Sequence, residues 1–371
     1  MRCLIADAVL EREINHIQCS IRVIHFRRSA LEGGEVNRRE WIKVSGALGA
    51  SSMLPSWDVP EAFASDSGES IWQTSIARLN LRHTWTTTMS SSQYRDTIQV
   101  RCTRDGVTGI GEGAPIVRYH EDAESGRKAI EAITPFLRNA DPCRFERMMA
   151  EVSSRMPNQF AAMAAIGIAV MDWVGKKLNV PLYRMLGLDP TQTPITTFSI
   201  GIDTPETTRQ KVQEAEPFPV LKIKVGLNTD EETIAAVRSV SKKPLRVDAN
   251  EGWKDKEEAV RKINWLESQG VEFVEQPMPA EMIEETRWVR SRVHLPIIAD
   301  EAALNARAIP KLADAYDGIN VKLDKCGGIQ PALRMIYIAK SLGMKTMLGC
   351  MVFEFGQRDR GRPTLAASGL R

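Results

Sequence analysis

The sequence predicts an α/β protein in two parts, an N-terminal α+β domain that caps a (β/α) barrel, and three observations predict it. Charged residues close successive apolar runs: Lys222 and Lys224 in Leu-Lys-Ile-Lys-Val-Gly, Asp248 in Arg-Val-Asp-Ala-Asn, Glu275 in Phe-Val-Glu-Gln-Pro, Asp300 in Ile-Ile-Ala-Asp-Glu and Lys322 in Asn-Val-Lys-Leu. Their steps are 24 (224 to 248), 27 (248 to 275), 25 (275 to 300) and 22 (300 to 322), each the length of one strand, one helix and two loops. Single strands and single helices alternate from Thr196 to Leu348. Ahead of them, from Trp72, lie antiparallel strand signals followed by helical ones.

Taken in order, the chain starts with an unusual stretch. Asn37-Arg38-Arg39-Glu40-Trp41 precedes a mildly apolar segment from Val44 to Leu54 and then Ala62-Phe63-Ala64. A twin arginine, a short apolar region and an A-x-A site in that order predict a twin-arginine export signal cleaved after Ala64, and hence a periplasmic protein. Val36 is then the expected initiator, with Met1 to Glu35 an extension from a wrongly assigned start. Ser65 to Ser70 is a polar linker, so residues 1–71 form an extension.

Residues 72–190 make the capping domain. Strands are expected at Thr74 to Leu81, Tyr94 to Thr103 and Thr108 to Gly113, with Asp105-Gly106 as the tight turn between the last two. Gly109-Ile110-Gly111-Glu112-Gly113 lacks the G-x-G-x-x-G spacing and ends a hairpin, which excludes a dinucleotide loop. Helices follow at Asp122 to Arg138, Cys143 to Ser154 and Asn158 to Leu178; the third is rich in Ala and Met on most faces and should be buried.

Residues 191–352 carry the barrel. Strands are expected at Thr196 to Ile200, Val220 to Val225, Leu245 to Asp248, Phe273 to Glu275, Ile297 to Ala299, Gly318 to Val321 and Lys345 to Leu348. Near-continuous apolar strands separated by single helices specify a parallel sheet covered on both faces. Residues 353–371, basic and Gly-rich, contain no strand-eight signal, so the expected barrel is truncated at its C-terminal end. A frameshift within Phe353 to Arg358 accounts for such a tail, and the nucleotide sequence tests it.

Composition bounds the function. With 43% hydrophobic and 26% charged residues, this is an ordinary globular chain long enough for two domains. A net charge of +2 and no basic stripe among aromatics exclude an electrostatic case for nucleic acid, so a small-molecule substrate is expected. No apolar run of transmembrane length occurs, and no membrane partner is expected. The six cysteines show neither CxxC pairs nor zinc-finger spacing. A homo-oligomer is compatible with these features.

In a (β/α) barrel all strands point their C-terminal ends at one mouth, so the six marker residues converge there. Asp248, Glu275 and Asp300 form an oxygen-rich set suited to a hard divalent cation such as Mg²⁺. Removing a proton next to a carboxylate makes a dianionic enolate, which needs positive charge already in place at its oxygens. A lysine buried beside a metal and a second ammonium is expected to have a lowered pKa and to serve as base. Lys222, two residues before Lys224, shares its face and is expected to neutralise the substrate carboxylate while Lys224 handles the proton.

Lys-Ile-Lys, Asp-Ala-Asn-x-Gly-Trp, Val-Glu-Gln-Pro, Ala-Asp-Glu and Asn-Val-Lys-Leu-x-Lys-x-Gly-Gly together resemble the enolase superfamily, in its muconate-lactonizing subgroup and nearest the dipeptide epimerases. The resemblance covers Thr74 to Cys350 and implies an enolase-like, modified TIM barrel. By motif it implies Asp248, Glu275 and Asp300 as Mg²⁺ ligands, and Lys224 and Lys322 as bases on opposite faces of the α-carbon. Lys222 is implied as the carboxylate partner and Ser199 as a small hydroxyl residue on the first strand. Lys325 competes with Lys322 for the second base and is otherwise a substrate contact; Lys322 is preferred because it directly ends the apolar run. Two opposed lysines imply an isomerase that inverts a stereocentre of a dipeptide or related carboxylate by 1,1-proton transfer. A muconate cycloisomerase, an N-acylamino-acid racemase and a non-catalytic barrel remnant are the alternatives. The loop Met89 to Tyr94 is expected to reach over the mouth, with Ser90 where Ala-Glu epimerases of the family carry an arginine.

Overall fold

In the computed structural model the described residues are 68–352. The export signal and the tail read above lie outside them. Strands β1 (Ile71–Thr86), β2 (Ser91–Arg104) and β3 (Val107–Gly113) form an antiparallel sheet in that order. The turn between β2 and β3 is two residues long, with Asp105 at φ 51° and Gly106 at φ 72°, the paired positive φ that matches the twist of a hairpin. β1 and β2 are longer than expected and continue, past an irregularity between Asn80 and Trp85, to a turn in which the Thr87 N–H donates to the Ser90 carbonyl. The loop over the mouth is therefore shorter than Met89 to Tyr94, because Ser91 and Ser92 pair with Thr86 and Trp85.

Helices α1 (Ala123–Asn139), α2 (Phe145–Arg155) and α3 (Phe160–Lys177) follow. α1 starts at a capping box in which the Asp122 carboxylate accepts from the Ser125 N–H. α3 is buried on nearly every face, as its composition requires. One face meets the glycines of β3: a Cβ at Gly109, Gly111 or Gly113 would fall 2.1, 2.0 and 2.0 Å from the carbonyl oxygens of Ala169, Ala165 and Ala161. Two residues of strand and four of helix advance by nearly the same distance, so a G-x-G-x-G strand and an alanine row every fourth residue stay in step. Close packing, and not a phosphate, explains these glycines. Gly111→Ala is expected to lower stability by about 3 kcal/mol in urea unfolding, since neither backbone can yield.

The opposite face of α3 meets the barrel. Gly327 and Gly328 pack on Met163, Ala164 and Gly167, and the Asp324 carboxylate accepts from Ala114 N–H at 2.8 Å. Burial, reinforced by Glu121 and Glu112, pushes the Asp324 carboxyl up to about 7. A folded-state pKa above the ordinary 3.8 means that the acid form is favoured by folding, so this stability is present at pH 4 and is lost as pH rises through 7. Asp324→Asn should therefore gain about 1–2 kcal/mol over wild type at pH 8 and little at pH 4.5, read from urea midpoints.

From β4 (Thr197–Ile200) the chain alternates strand and helix: α4 (Pro205–Glu214), β5 (Val220–Lys224), α5 (Asp230–Val240), β6 (Leu245–Asp248), α6 (Lys256–Ser268), β7 (Val271–Glu275), α7 (Ile283–Arg290), β8 (Ile297–Ala299), β9 (Gly318–Val321), α8 (Ile329–Ser341) and β10 (Lys345–Leu348). Single helical turns at Ile309–Leu312 and Leu323–Cys326 flank β9. The seven strands are parallel and ordered β10-β9-β8-β7-β6-β5-β4, each beside its chain neighbour, the sequential order of a (β/α) barrel. Leu221, Ile223, Leu245, Val247, Val274, Ile297, Ile319 and Val321 are buried in one core with residues of the surrounding helices. Among the described residues, β4 and β10 are the sheet edges, and no helix is long and apolar enough to cross a membrane.

Candidate active site

The sheet register assembles the site. Lys224 pairs with Asp248, and Asp248 with Glu275, so β5, β6 and β7 end at one level. Asp300 follows β8 directly and Lys322 follows β9 directly. Lys222, Lys224, Asp248, Glu275, Asp300 and Lys322 are all buried. One oxygen from each of Asp248, Glu275 and Asp300 lies within 4.8 Å of the others.

The ammonium groups are arranged around these carboxylates. Lys224 Nζ donates to Asp248 Oδ2 at 2.6 Å and to Asn250 Oδ1 at 2.9 Å. Lys322 Nζ donates to Asp300 Oδ2 at 2.7 Å. The two lysines thus flank the cluster from its two ends, with β6, β7 and β8 between their strands. Lys222 Nζ sits between Asp248 Oδ2 at 2.8 Å and Glu275 Oε2 at 2.6 Å. The second contact lacks hydrogen-bond alignment, leaving Glu275 Oε2 buried with a charge neighbour but no donor. Three convergent carboxylates, one with a donor-free oxygen, fit a hard divalent cation.

Charge, set against burial, decides the protonation states. Burial works to raise Asp248 and Asp300, but Lys222 and Lys224 around the first, and Lys322 and Lys325 around the second, hold both well below the usual carboxylate range. Glu275 goes the other way, raised by burial and by its acidic neighbours. For Lys222 and Lys322 burial acts downward, but the surrounding carboxylates win and both are raised. At Lys322 the lowered pKa expected from sequence is thus not supplied by the side chains alone, because the surrounding carboxylates outweigh desolvation.

Known proteins place this architecture. The pattern of the mandelate racemase / muconate lactonizing enzyme N-terminal domain matches residues 73–187, and that of the enolase C-terminal domain-like family matches residues 206–358. An L-Ala-D/L-Glu epimerase of Bacteroides thetaiotaomicron is 40% identical over 274 residues, covering 74% of this chain and 71% of that protein. The chain belongs to the enolase superfamily. Two solved structures show the same fold for its mandelate racemase / muconate lactonizing branch. A dipeptide epimerase of Enterococcus faecalis, complexed with Mg and L-Leu-L-Tyr, superposes with TM-score 0.70 at 31% identity, over 76% of this chain and 82% of that one. The substrate-liganded L-Ala-D/L-Glu epimerase of Bacillus subtilis gives TM-score 0.71 at 28% identity, over 77% and 83%.

Within this enolase-superfamily site, several groups occupy places the sequence did not define. Lys325, weighed as second base or substrate contact, is placed as neither: its ammonium is fully buried and donates to the Asp300 carboxylate, the Asp300 carbonyl and the Asn320 carbonyl at 2.9 Å. Two of its three donors fix Asp300 and the third holds the end of β9 at Asn320. Asn320 Nδ2 donates to Glu275 Oε1 at 2.8 Å, and Gln276 Oε1 accepts from the N–H groups of Asp300 and Ala302. Ser199 stands in register with Lys222 and lines a cleft with Leu81, Trp85 and Phe198, while Ser90 closes the β1–β2 turn through its carbonyl.

Asn250, Glu251 and Gln276 hold φ of 41°, 64° and 37°, left-handed values that non-glycine residues rarely take. They cluster just after the cluster's carboxylates, where such backbone is retained only when surroundings fix it. Glu251 is fixed by a bidentate pair with Arg118 of the capping domain (2.6 and 3.0 Å) and by the Ala280 N–H. Beside Arg118, desolvation and the charges of Asp300 and Glu301 raise the half-buried Tyr119 phenol. The signal for Asn250, Gln276 and Glu301 was present, since each lies within two residues of a predicted ligand, but polar residues there read equally well as turn or cap positions.

Proposed function

We propose that the chain is a Mg²⁺-dependent isomerase that inverts the α-carbon next to the carboxylate of a dipeptide by 1,1-proton transfer between Lys224 and Lys322. The observation that carries this reading is the placement of two lysines at opposite ends of one buried carboxylate cluster. The names of the relatives support a dipeptide. Asp248, Glu275 and Asp300 would hold the ion, which when bound supplies positive charge to the oxygens of the substrate carboxylate. Lys224 as free amine takes the α-proton from one epimer and becomes an ammonium, leaving an enolate. Lys322 as ammonium gives a proton to the opposite face and becomes an amine, and solvent resets both. The reverse direction exchanges the roles. Lys222, between Asp248 and Glu275, would balance the negative charge of the substrate carboxylate.

Incubation of a dipeptide library in D₂O with Mg²⁺ tests the reading. Deuterium at the α-carbon with inversion supports it. Product from a muconate without exchange, racemisation of N-acylamino acids in place of dipeptides, or no Mg²⁺ binding at all each overturns it in favour of a cycloisomerase, an acylamino-acid racemase or a binding remnant. The export reading rests on Asn37 to Ala64. It predicts that replacing Arg38 and Arg39 by lysine shifts the protein from periplasmic to cytoplasmic fractions, and an unchanged distribution removes it.

A further inference from the structure

We propose that Asn250 is a positioning residue that aims Lys224 and ties it to the β1–β2 turn of the capping domain, an inference that rests on Lys224 being a base. Every polar group of Asn250 is engaged. Its N–H donates to Asp248 Oδ1 at 3.0 Å, and its carbonyl accepts from Thr88 Oγ1 at 2.5 Å. Its side-chain Oδ1 accepts from Lys224 Nζ at 2.9 Å, and its Nδ2 donates to Glu301 Oε1 at 3.1 Å. The carboxamide has one workable orientation, because an ammonium only donates and a carboxylate acceptor calls for the NH₂ group. Glu301 therefore sets the amide and the amide sets Lys224. Asp248, the other acceptor of Lys224, belongs to the carboxylate cluster, so Asn250 is the neutral acceptor that orients this ammonium.

A second contact ties the same place to the turn. A Cβ at Gly226, two residues past Lys224, would lie 2.7 Å from Thr88 Cγ2 and 2.4 Å from the Ala249 carbonyl. Thr88 is thus seated by its methyl over the end of β5 and by its hydroxyl on the Asn250 carbonyl beyond β6. The turn around it is closed by Thr87 N–H to Ser90 and by Met89 N–H to the Thr87 hydroxyl. Displacement of the turn is passed to Asn250, and through its carboxamide to Lys224. Lys322 has no such link among the described residues; its ammonium donates to Asp300.

The asymmetry supplies the test, read as α-proton exchange in D₂O with the epimer pair of the dipeptide library that exchanges fastest. In a Lys322→Ala background exchange reports Lys224 alone, and in a Lys224→Ala background it reports Lys322 alone. Asn250→Ala is expected to lower the Lys224 half about 10- to 100-fold in kcat, with KM and calorimetric Mg²⁺ affinity within about twofold, and to change the Lys322 half less than about threefold. Thr88→Val should lower the Lys224 half by about three- to tenfold. Asn250→Ser, which keeps a short neutral oxygen toward Lys224, should retain more of the Lys224 half than Asn250→Ala and takes its place where Asn250→Ala does not fold. Equal loss in both halves, or loss confined to KM, makes Asn250 merely structural and overturns the proposal; an unaffected Thr88→Val overturns the tie to the turn. Exchange that survives in the double variant Lys224→Ala/Lys322→Ala overturns the base assignment instead, a distinct result. Where exchange is too slow to read, crystals of Asn250→Ala decide: Lys224 re-aimed is expected, and Lys224 unmoved refutes it.

Discussion

Lys224→Ala and Lys322→Ala are each expected to lower net epimerisation by about a thousand-fold or more, while each retains α-proton exchange from one epimer only. Neither lysine can replace the other, because Lys224 approaches the cluster through Asp248 and Lys322 through Asp300, from strands separated by three others. A base on one face removes a proton and, with no acid opposite, returns it to the same face. Proton NMR in D₂O separates the two outcomes, since loss of the α-proton signal without change of configuration is the signature. Full epimerisation by either variant would falsify the two-base assignment.

Asp300→Ala should do two kinds of damage, and only one of them is shared with Asp248→Ala. Both variants lose a ligand of the carboxylate cluster and should bind Mg²⁺ more weakly by tenfold or more, at least about 1.4 kcal/mol, in calorimetry. Asp300 also neutralises Lys325, which is fully buried, and Lys322, so its removal strands buried ammonium charge. That costs about 3–5 kcal/mol in urea unfolding. Asp248 leaves less behind, because Lys222 keeps Glu275 and Lys224 keeps Asn250. Equal stability of the two variants would remove Lys325 from the role of structural cation given to it here.

Much of this site was legible in the chain because a (β/α) barrel writes it in linear form. Each strand end is one address, so Lys224, Asp248, Glu275, Asp300 and Lys322 could be read from apolar runs and their spacing. What could not be read depends on side chains meeting across strands. Lys325 sits one helical turn from Lys322, and only the turn Leu323–Cys326 shows that it points inward to Asp300 and not to the mouth. The direction of the Lys222 and Lys322 pKa shifts was likewise out of reach, since it follows from distances between charges that no spacing encodes. Gly109 to Gly113 posed the reverse problem, a conspicuous motif whose reason lay in a helix fifty residues further on.

That glycine row also bears on how a substrate gets in. Three successive contacts of β3 with α3 are closest at backbone carbonyls, and α3 in turn lies against Gly327 and Gly328 of the barrel. β3 and α3 are thereby locked into one block, and movement of that block on the barrel falls on the seam with Gly327 and Gly328, where the flexible Met163 side chain lies. The turn from Thr87 to Ser90 is held to the barrel through Thr88. Lifting that turn for a ligand would unseat Thr88 from Asn250, and admission and alignment of Lys224 would then work as a single latch.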